Sequence, residues 1–339
     1  MKISRLFQIQ WKNVFNLSRE LAKRSGRNPM AVFLDFLWSY KTRGASWWNY
    51  MNFGFHFQKD PEVRDSFATE YKDNIYMNRY CNSPEMLRTL MDKGEFNKHY
   101  KEFLGRDYLD LRLASEEEFH LFLKRHGEVV IKPAFDMGGS GIEKLSAQEA
   151  KGIYTKLKEE KKFLVEEVLK QHPEMSSINA SSINTLRTCT CIDKEGKITI
   201  LYMVLRIGRK DSFIDNMSAG GLFTKITMDG QITHPCYSAQ GFGSIYTHHP
   251  DTKLPFIGIQ VPMIKEVKNF AIKLAEKNPD ARYVGWDIAI TPQGPVVIEG
   301  NDRPSCDLPQ TYIHLDSGRG LVEEYERALS IKLPRSRKG

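Results

Sequence analysis

The chain has 339 residues, of which 41% are hydrophobic and 27% are charged, a balance typical of globular proteins that bury a full core. This composition excludes disordered, collagen-like and disulfide-scaffold classes, and no apolar run approaches the roughly 18 residues of a membrane span. The net charge of +7 resides in residues 1–60, which carry ten basic and three acidic residues. The remaining residues balance, so the basic character belongs to one segment and does not favour nucleic-acid binding.

The cysteines and the amino terminus indicate the compartment. Five cysteines are too few and too scattered for a disulfide framework or a zinc site. The first residues lack the apolar stretch of a secretion signal. We therefore expect a cytoplasmic protein.

Residues 1–84 are predicted to form a helical segment. Apolar residues recur at three- and four-residue steps from Ile3 to Val14, which places them on one helix face. The sequence around Gly26 and Pro29 breaks that helix, and a second helix is predicted over 29–40. Four of the five tryptophans lie in residues 1–60, a segment that suits core packing, a membrane-surface contact or a partner contact. Packing is favoured, because the apolar residues of the second helix need burial.

From residue 85 onward the pattern mixes helices and strands. Capping boxes at Ser115 and Ser146 predict helices that run to about residues 125 and 160. Strands are predicted over 129–132 and 163–168, and hairpins over 186–207, 222 onward and 286–301. Further helices are predicted over 261–278 and up to about residue 331. Helices mixed with antiparallel hairpins indicate the α+β class.

The last hairpin carries the most informative residues. If its strands pair around Pro292–Gly294, with Thr291 opposite Pro295, then Asp287 lies opposite Glu299. Asn301 is two residues beyond Glu299 and points to the same face. Opposed carboxylates repel unless something neutralises them, and Asp, Glu and Asn oxygens suit Mg²⁺. The alternative is that both acids face solvent at a sheet edge, but the apolar neighbours of the pair favour the metal site.

A second candidate site follows the strand that ends at Lys132. Lys132 precedes a glycine-rich turn, and an ammonium group with several backbone N–H groups can hold a phosphate. The order of residues differs from a Walker A loop and from a dinucleotide fingerprint. By itself the turn is a weak signal, and a plain flexible turn explains it equally well.

Taken in order, these features resemble the ATP-grasp superfamily, and one branch in particular. Four features follow one another in the order found in the superfamily. They are the strand that ends in Lys132-Pro133, the glycine-rich loop, the strand with the paired acids Glu166 and Glu167, and the distal hairpin with Asp287, Glu299 and Asn301. The segments 171–174, 182–187, 215–221 and 285–290 resemble the sugar-transfer-associated ATP-grasp family. The resemblance covers about residues 90–320. It implies a helical segment over 1–84 and an ATP-grasp catalytic region over 85–335, whose two α+β lobes, about 115–165 and 166–330, clasp Mg·ATP.

The resemblance also implies roles for individual residues. Lys132 matches the lysine that reaches the α- and β-phosphates, and Lys98 resembles an earlier nucleotide-contacting lysine, with Lys101 as a rival. The loop expected to fold over the triphosphate consists of Gly138, Gly139, Ser140 and Gly141. The hinge expected to take the adenine edge through backbone groups consists of Glu166, Glu167 and Val168. The expected ribose-binding acid is Glu174, the magnesium ligands are Asp287, Glu299 and Asn301, and the basic residues beside the γ-phosphate are Arg187 and Arg206.

The function implied by the resemblance is an ATP-dependent carboxylate–amine ligase that uses ATP and two Mg²⁺ ions and forms an acyl phosphate. The family points to surface-polysaccharide assembly, in which an amino acid or amine is joined to a sugar acid that is free or carrier-linked. Residues 1–60 then suit a peripheral membrane or glycosyltransferase contact. Two alternatives stay open: a small-molecule or sugar kinase on the same fold, and a non-catalytic nucleotide-binding partner of a glycosyltransferase complex.

The remaining polar candidates are interpreted more simply. The histidines lie in polar or proline-containing stretches and are predicted to be loop residues: His172, His234, His248 and His249. Asn184 and the loop 215–221 are assigned equally to an acceptor pocket or to a turn. Cys189 and Cys191 alternate on a predicted strand and are expected in the core.

Overall fold

The computed structural model describes residues 11–135, 141–149, 152–210, 212–216 and 220–335. Its α-helices are α1 (Trp11–Ser25), α2 (Pro29–Arg43), α3 (Trp47–Asn52), α4 (Pro61–Asp65), α5 (Asn78–Cys81), α6 (Pro84–Met91), α7 (Lys93–His99), α8 (Glu116–His126), α9 (Ile153–Glu159), α10 (Pro173–Ile178), α11 (Ile264–Glu276) and α12 (Val322–Leu329). A π-helix spans Lys72–Met77. The strands are β1 (Tyr108–Asp110), β2 (Glu128–Lys132), β3 (Glu143–Ser146), β4 (Leu164–Glu167), β5 (Thr185–Ile192), β6 (Ile198–Ile207), β7 (Leu222–Ile226), β8 (Cys236–Ser238), β9 (Ser244–Tyr246), β10 (Tyr283–Thr291) and β11 (Gly294–Asn301).

Local sequence signals set the ends of α2 and α8. The Asn28 side chain accepts a hydrogen bond from the Met30 amide at 2.8 Å, and Gly44 ends α2 in the left-handed region with φ 66°. Ser115 and Glu118 form the predicted capping box of α8. These ends follow from residues within one turn of each terminus.

The capping box predicted at Ser146 is wrong. Ser146 is the last residue of β3 and pairs with Glu128 of β2. A 3₁₀ turn follows, and α9 begins only at Ile153. Strand pairing therefore overrides a local pattern that would otherwise cap a helix.

A small four-stranded sheet has the order β1-β4-β2-β3, with every neighbouring pair antiparallel. Helices α8 and α9 cover it, and its core includes Phe119, Val129, Ile131 and Val165. The sheet occupies the region predicted for the first lobe, but it begins earlier, at Tyr108. Its extra strand β1 pairs with β4 and makes β4 a central strand.

A large seven-stranded antiparallel sheet has the order β11-β10-β5-β6-β7-β8-β9. One face carries Leu186, Met203 and Trp286 and packs against residues of α6, α7 and α11. The other face carries Cys189 and Tyr202 and is covered by the helical N-terminal segment. The two sheets with their helices confirm the α+β class, and Cys189 and Cys191 are core residues, as expected.

The N-terminal segment packs against the catalytic region, as the sequence favoured. Val14, Leu17 and Phe36 are buried in the same cluster as Tyr202 of the large sheet, and Phe33 and Leu37 pack against that cluster. Residues 1–10, which include part of the first predicted helix, lie outside the described residues. Within the described ranges, no helix is both long enough and apolar enough to cross a membrane.

Candidate active site

A cleft with a volume of about 330 Å³ lies between the two sheets, within the usual range for small-molecule sites. The small sheet contributes Lys132 and Glu166 to its lining, and the large sheet contributes Arg206, Asp287 and Glu299. Four of these five residues were predicted as phosphate-binding, basic or metal-binding residues. The fold therefore brings two distant sequence motifs to opposite walls of one cleft.

Glu166 organises the small-sheet wall. It lies opposite Val130 in the β2–β4 ladder, so its side chain shares a face with Lys132. The Lys132 Nζ donates to Glu166 Oε2 at 2.5 Å, and Arg106 donates to both carboxylate oxygens at 3.0 Å. Asn97 Nδ2 adds a fourth contact at 2.8 Å. The lysine expected to contact phosphates is thus anchored on a buried carboxylate.

The charge balance of this cluster follows from its contacts. Burial alone opposes ionisation of Glu166, but Arg106 and Lys132 hold the pKa of its carboxyl group well below the usual range. Burial lowers the pKa of the Lys132 ammonium group, and the Glu166 carboxylate opposes that shift. With Lys132 and Arg106 charged and Glu166 ionised, the local charge is +1. A net positive wall favours the binding of phosphate groups.

The backbone of the predicted hinge lies partly within the β-ladder of the small sheet. Glu166 pairs with Tyr108 on one side and Val130 on the other, so its backbone lies inside the ladder. The Glu167 amide donates to the Asp107 carbonyl at 3.0 Å. Val168 is the first residue beyond the strand, and it lines the cleft. Val168 is thus the predicted hinge residue whose backbone lies beyond the ladder, and the Glu166 side chain has the anchoring role described above.

The hairpin of β10 and β11 carries the predicted metal ligands. It has the predicted pairing of Asp287 with Glu299, but its turn and its strand register differ from the prediction. Thr291 pairs with Gly294, so the turn is one residue tighter than predicted. A β-bulge at Ile298 then shifts the register, and Asp287 lies directly opposite Glu299. The bulge also brings Ile298 into the cleft lining.

Two arginines neutralise Asp287. Arg187 lies directly opposite it on β5 and donates to its two oxygens at 2.5 and 3.1 Å, and Arg206 of β6 donates at 2.6 Å. Although burial opposes ionisation, these guanidinium groups hold the pKa of Asp287 below its usual range. Burial and the neighbouring Asp287 charge instead raise the pKa of Glu299.

The donor set fits a magnesium ion. Asn301 Nδ2 lies 3.4 Å from Glu299 Oε1, so the Asn301 amide is beside the two opposed carboxyl groups. Burial and, second to it, the Asp287 charge disfavour ionised Glu299, and a divalent cation between the carboxylates would offset both effects. Oxygens from Asp, Glu and Asn are the ligands that Mg²⁺ takes in proteins.

The two predicted arginines lie in different surroundings. Arg206 lines the cleft and donates at 3.0 Å to Asp215, which also accepts from the Thr185 amide at 3.0 Å. Arg187 extends behind Asp287, where its Nη1 lies 3.3 Å from Ser305 Oγ. Arg206 is thus the arginine that lines the cleft, whereas Arg187 lies behind Asp287 and donates to its carboxylate.

The structure places Lys98 and its rival Lys101 outside the cleft. Both are exposed, whereas Lys93 lines the cleft. Lys93 and Asn97 are four residues apart on α7 and share the face that meets the site. Lys98 is one position further round the helix and is exposed to solvent, so Lys93 is the α7 lysine that lines the cleft.

Glu174 also lies away from the cleft. It is exposed in the first turn of α10, where a carboxylate suits a helix N-terminus, while Gln171 and Ser176 line the cleft nearby. Of the predicted loop, Gly138, Gly139 and Ser140 lie outside the described residues. Gly141 has φ +71°, which a residue with a side chain rarely adopts.

The remaining candidates take structural positions. His249 is fully buried and binds the Gly208 carbonyl at 3.1 Å, and His172 accepts from the Glu174 amide at 3.3 Å. Asn184 is fully buried and fastens the α10–β5 connection by donating to two carbonyls. These are loop and turn positions, whereas Asp215 and Asn216 of the loop 215–221 line the cleft.

Sequence reasoning missed Lys93, Asn97 and Arg106. The four-residue spacing of Lys93 and Asn97 was a usable signal, because it places both on one helix face. Arg106 carried no local signal, since its partner Glu166 is 60 residues away.

The chain is similar to known proteins in sequence and in fold. Residues 76–327 match the family described as sugar-transfer associated ATP-grasp. No match was found among curated proteins. Similar solved structures include the ATP-grasp ligase PsnB complexed with a phosphomimetic variant of its minimal precursor, Mg and ADP, with TM-score 0.38 and 13% identity over 75% of this chain and 58% of that chain. D-alanyl-alanine synthetase A from Vibrio cholerae has TM-score 0.44 and 14% identity over 74% of this chain and 68% of that chain.

A third similar structure is the N5-carboxyaminoimidazole ribonucleotide synthetase from Thermotoga maritima, with TM-score 0.41 and 14% identity over 74% of this chain and 52% of that chain. This chain therefore spans little more than half the length of PsnB and of the Thermotoga maritima synthetase. The family match confirms the resemblance and the fold expected from it. Because that match covers most of the chain and contains both the Lys132 cluster and the Asp287–Glu299 hairpin, this protein belongs to the sugar-transfer associated ATP-grasp family.

Proposed function

We propose that this protein is an ATP-dependent carboxylate–amine ligase that releases ADP and phosphate. One observation carries the proposal: the cationic Lys132 cluster faces the opposed carboxyl groups of Asp287 and Glu299 across a single cleft. The oxygens of a triphosphate need positive charge, and its metal ion needs carboxylate ligands. The Lys132 wall supplies the first, and the wall with Asp287 and Glu299 supplies the second. Family membership supports the use of ATP and Mg²⁺.

The chemistry explains why this site needs charge and no nucleophilic side chain. A carboxylate resists attack by an amine because oxide is a poor leaving group. The substrate carboxylate oxygen attacks the γ-phosphorus of ATP, the bond to the β-phosphate oxygen breaks, and ADP leaves. The amine nitrogen then attacks the carbonyl carbon of the acyl phosphate, phosphate leaves with the electron pair, and the amine loses a proton. The product is an amide.

Individual residues stabilise the charge that develops during this transfer. Lys132 and Lys93 lie on the lining of the cleft and hold phosphate oxygens. Arg206 faces the cleft from the opposite wall, where it meets the transferring phosphoryl group or the reacting carboxylate. Arg187 keeps the Asp287 carboxylate oriented. When Mg²⁺ is bound by Asp287, Glu299 and Asn301, it supplies Lewis-acid charge to the phosphates.

The family description suggests the substrate class. A sugar-transfer association fits a ligase of surface-polysaccharide assembly, with a sugar acid as the carboxylate and an amino acid or amine as the acceptor. The sugar acid is free or linked to a carrier.

Residues 1–60 are the region through which we propose a peripheral contact at the inner face of a membrane or with a glycosyltransferase. Met30, Leu34 and Trp38 lie four residues apart on α2, and each is more than half exposed. These residues lie beside the basic surplus of the segment, a combination that suits anionic lipid. Co-sedimentation with vesicles that contain anionic lipid, compared for the parent chain and the Trp38→Gln variant, tests the membrane contact.

The test of the ligase function is ATP turnover with Mg²⁺ against pooled sugar acids crossed with pooled amino acids and amines. We expect ADP and free phosphate only when both pools are present, and loss of turnover in Glu299→Gln. The Lys98→Ala variant is the matched control and keeps the activity, since Lys98 is exposed. Release of AMP contradicts the acyl-phosphate route. Turnover with one pool and no free phosphate indicates a kinase, and nucleotide binding without turnover under any pool indicates a non-catalytic partner.

A further inference from the structure

A second cavity, of about 500 Å³, lies between the N-terminal helices and the chain that leaves β11. Its lining includes Tyr40 of α2, Tyr71 directly before the π-helix, and Asp302 directly after β11. Met91, the last residue of α6, also lines it. We call the cavity lined by these four residues the side groove. π-Helical turns are rare and occur frequently at functional sites.

The lining of the side groove is continuous in the chain with the lining of the cleft. Asp302 is three residues after Glu299, which lines the cleft, so their Cα atoms are at most about 11 Å apart. Met91 is two residues before Lys93, another cleft residue, and the corresponding limit is about 7 Å. The side groove thus adjoins the candidate active site along two segments of the chain.

The charged residues of the side groove balance, and one cation among them has no protein partner. The lining holds two acids, Glu70 and Asp302, and two arginines, Arg79 and Arg303. Asp302 accepts from Asn78 Nδ2 at 3.0 Å and lies 3.8 Å from Arg303 Nε. Within the described ranges, the exposed Arg79 side chain forms neither an ion pair nor a hydrogen bond. A guanidinium group in this situation favours a carboxylate ligand, with which it forms paired hydrogen bonds.

The uncharged polar lining suits a ligand that is rich in hydroxyl groups. Each hydroxyl group donates one hydrogen bond and accepts others, so such a ligand needs donors and acceptors close together. Asn74 Nδ2 donates to Glu70 Oε1 at 3.5 Å, which uses one of its two N–H donors. The second N–H group, the amide oxygen and the carboxylate therefore offer both kinds of partner within one small area.

A row of three tyrosine rings begins in the side groove. The Tyr71 ring lines the groove, and its centroid lies 5.6 Å from that of Tyr76. The centroid of Tyr80 lies 5.8 Å beyond Tyr76, with the two rings inclined by only 23°. Tyr80 is 72% exposed, although aromatic rings gain much from burial. Pyranose rings have apolar C–H faces that stack on aromatic rings, so this tyrosine row suits a sugar chain.

We propose that the side groove binds a sugar unit of an acidic glycan, with its carboxylate paired to Arg79 and its neighbouring rings stacked on the tyrosine row. The choice of an acidic sugar rests on the proposed ligase function, in which a sugar acid supplies the carboxylate. The reaction takes place in the cleft, and the side groove holds another unit of the same chain. The carboxylate substrate is then a glycan chain and not a single sugar.

The position of these residues in the chain bears on specificity. Tyr40, Tyr71 and Asn74 precede residue 76, where the family match begins, whereas Arg79 and Asp302 lie within the match. The N-terminal segment therefore builds one side of the side groove, and the matched region builds the other. This division gives the packed N-terminal segment a role in substrate choice.

A single-stranded nucleic acid is the main alternative occupant. Its bases also stack on aromatic rings, and its phosphates also pair with arginine. Grooves that bind such strands carry a surplus of positive charge along the backbone path, whereas the two arginines of the side groove are matched by two acids. The charge balance therefore favours a glycan.

Equilibrium binding of trigalacturonate, measured by calorimetry on the full chain without ATP, tests the proposal. Maltotriose is the matched neutral probe, because it is also a chain of three sugar units but lacks carboxylates. We expect saturable binding of trigalacturonate, and binding at least about tenfold weaker for maltotriose and for monomeric galacturonate. The monomer lacks the further units that stack on the tyrosine row.

Two variants and one control locate the bound glycan. Arg79→Gln should weaken trigalacturonate binding about tenfold, since it removes one charge-assisted contact. Tyr80→Ala should weaken it by a similar factor through the loss of stacking. Arg125→Gln, at an exposed arginine of α8 outside the side groove, is the control that keeps the affinity. Thermal unfolding of each variant confirms that it is folded before its affinity is measured.

Three outcomes overturn the proposal: no saturation by trigalacturonate up to about 10 mM, equal affinity for trigalacturonate and maltotriose, or affinity that is unchanged in both Arg79→Gln and Tyr80→Ala. Tighter binding of oligothymidylate, weakened by the same two substitutions, would assign the side groove to nucleic acid and likewise overturn it. Because glycan binding needs neither ATP nor an amine, failure of the ligase function is recognised separately, by absent ADP release.

Discussion

The Nζ atom of Lys132 lies 2.5 Å from Oε2 of Glu166, so the cation expected to meet phosphates is already paired with a buried carboxylate. Arg106 shares that carboxylate and leaves the cluster with a charge of +1. On the opposite wall, the Asp287 charge is matched by two guanidinium groups while Glu299 stays close to it. The cleft thus has one wall with the Lys132–Arg106 cations and an opposite wall with the opposed carboxyl groups of Asp287 and Glu299.

Glu166→Gln should destabilise the protein strongly. The substitution leaves Arg106 and Lys132 buried without their anion, and breaking a buried ion pair in this way typically costs about 3–5 kcal/mol. Urea unfolding at pH 7 measures the loss. Glu167→Gln is the neighbouring control, with an expected cost below about 1 kcal/mol because Glu167 is only partly buried. Equal effects of the two substitutions would contradict the anchoring role of Glu166.

Glu299→Gln and Asp287→Asn should differ in stability while both weaken nucleotide binding. Removing the Glu299 charge relieves its repulsion with Asp287, so the free energy of unfolding should stay the same or rise. Asp287→Asn removes the partner of two buried arginines and should lower it by about 3 kcal/mol or more. Calorimetry should show affinity for Mg·ADP reduced about tenfold or more in both variants, because each loses a metal ligand. Unaltered Mg²⁺ dependence in Glu299→Gln would remove this residue from the metal site.

Lys93→Ala should weaken binding of ADP, and Lys98→Ala should not. Lys93 lines the cleft, whereas Lys98 is exposed five residues later on the same helix. Losing one charge-assisted contact to phosphate is expected to cost about tenfold in affinity. Fluorescence or calorimetric titration of the two variants forms a matched pair. The reverse ranking would restore the assignment that the sequence suggested.

The buried histidines His56 and His314 should each lower the stability as the pH decreases from 6.5 to about 4, whereas Asp73, whose pKa burial raises to about 7, acts in the opposite direction. Burial lowers the pKa of His56 to about 4 and of His314 to about 4. In this interval the unfolded chain binds protons that the folded chain does not, so each histidine lowers the free energy of unfolding by about 1.4 kcal/mol per pH unit. Above pH 6.5 neither contributes. Unfolding measured at several pH values should show a shallower slope in His56→Phe, and an unchanged slope would mean that His56 titrates alike in both states.

Sequence reasoning succeeded where the signals were local. The pairing of Asp287 with Glu299 was predicted from alternation along two strands joined by a short turn. It held although the turn is one residue tighter, because the bulge at Ile298 restores the register. The capping box at Ser115 was equally local and is present.

Sequence reasoning failed where two local patterns competed or where a helix face had to be chosen. Ser146 has the residues of a helix cap, but pairing with β2 takes it into a strand. Lys98 and Lys93 are both lysines on α7, and the orientation of that helix against the large sheet decides which of them meets the cleft. The neighbouring residues in the sequence determine neither outcome.

By itself, the sequence determined the α+β class, the strand that ends at Lys132 and the hairpin that opposes Asp287 and Glu299. Hydrophobic periodicity, helix caps and turns depend on residues that are close together in the chain, so they can be recognised from the sequence alone. Only the tertiary structure decided that Arg106 anchors Glu166 across 60 residues and that Asn52 meets Asp307 across 255 residues. Such contacts arise when distant segments pack together and bury polar groups that must find partners, and no local pattern encodes which partners they find.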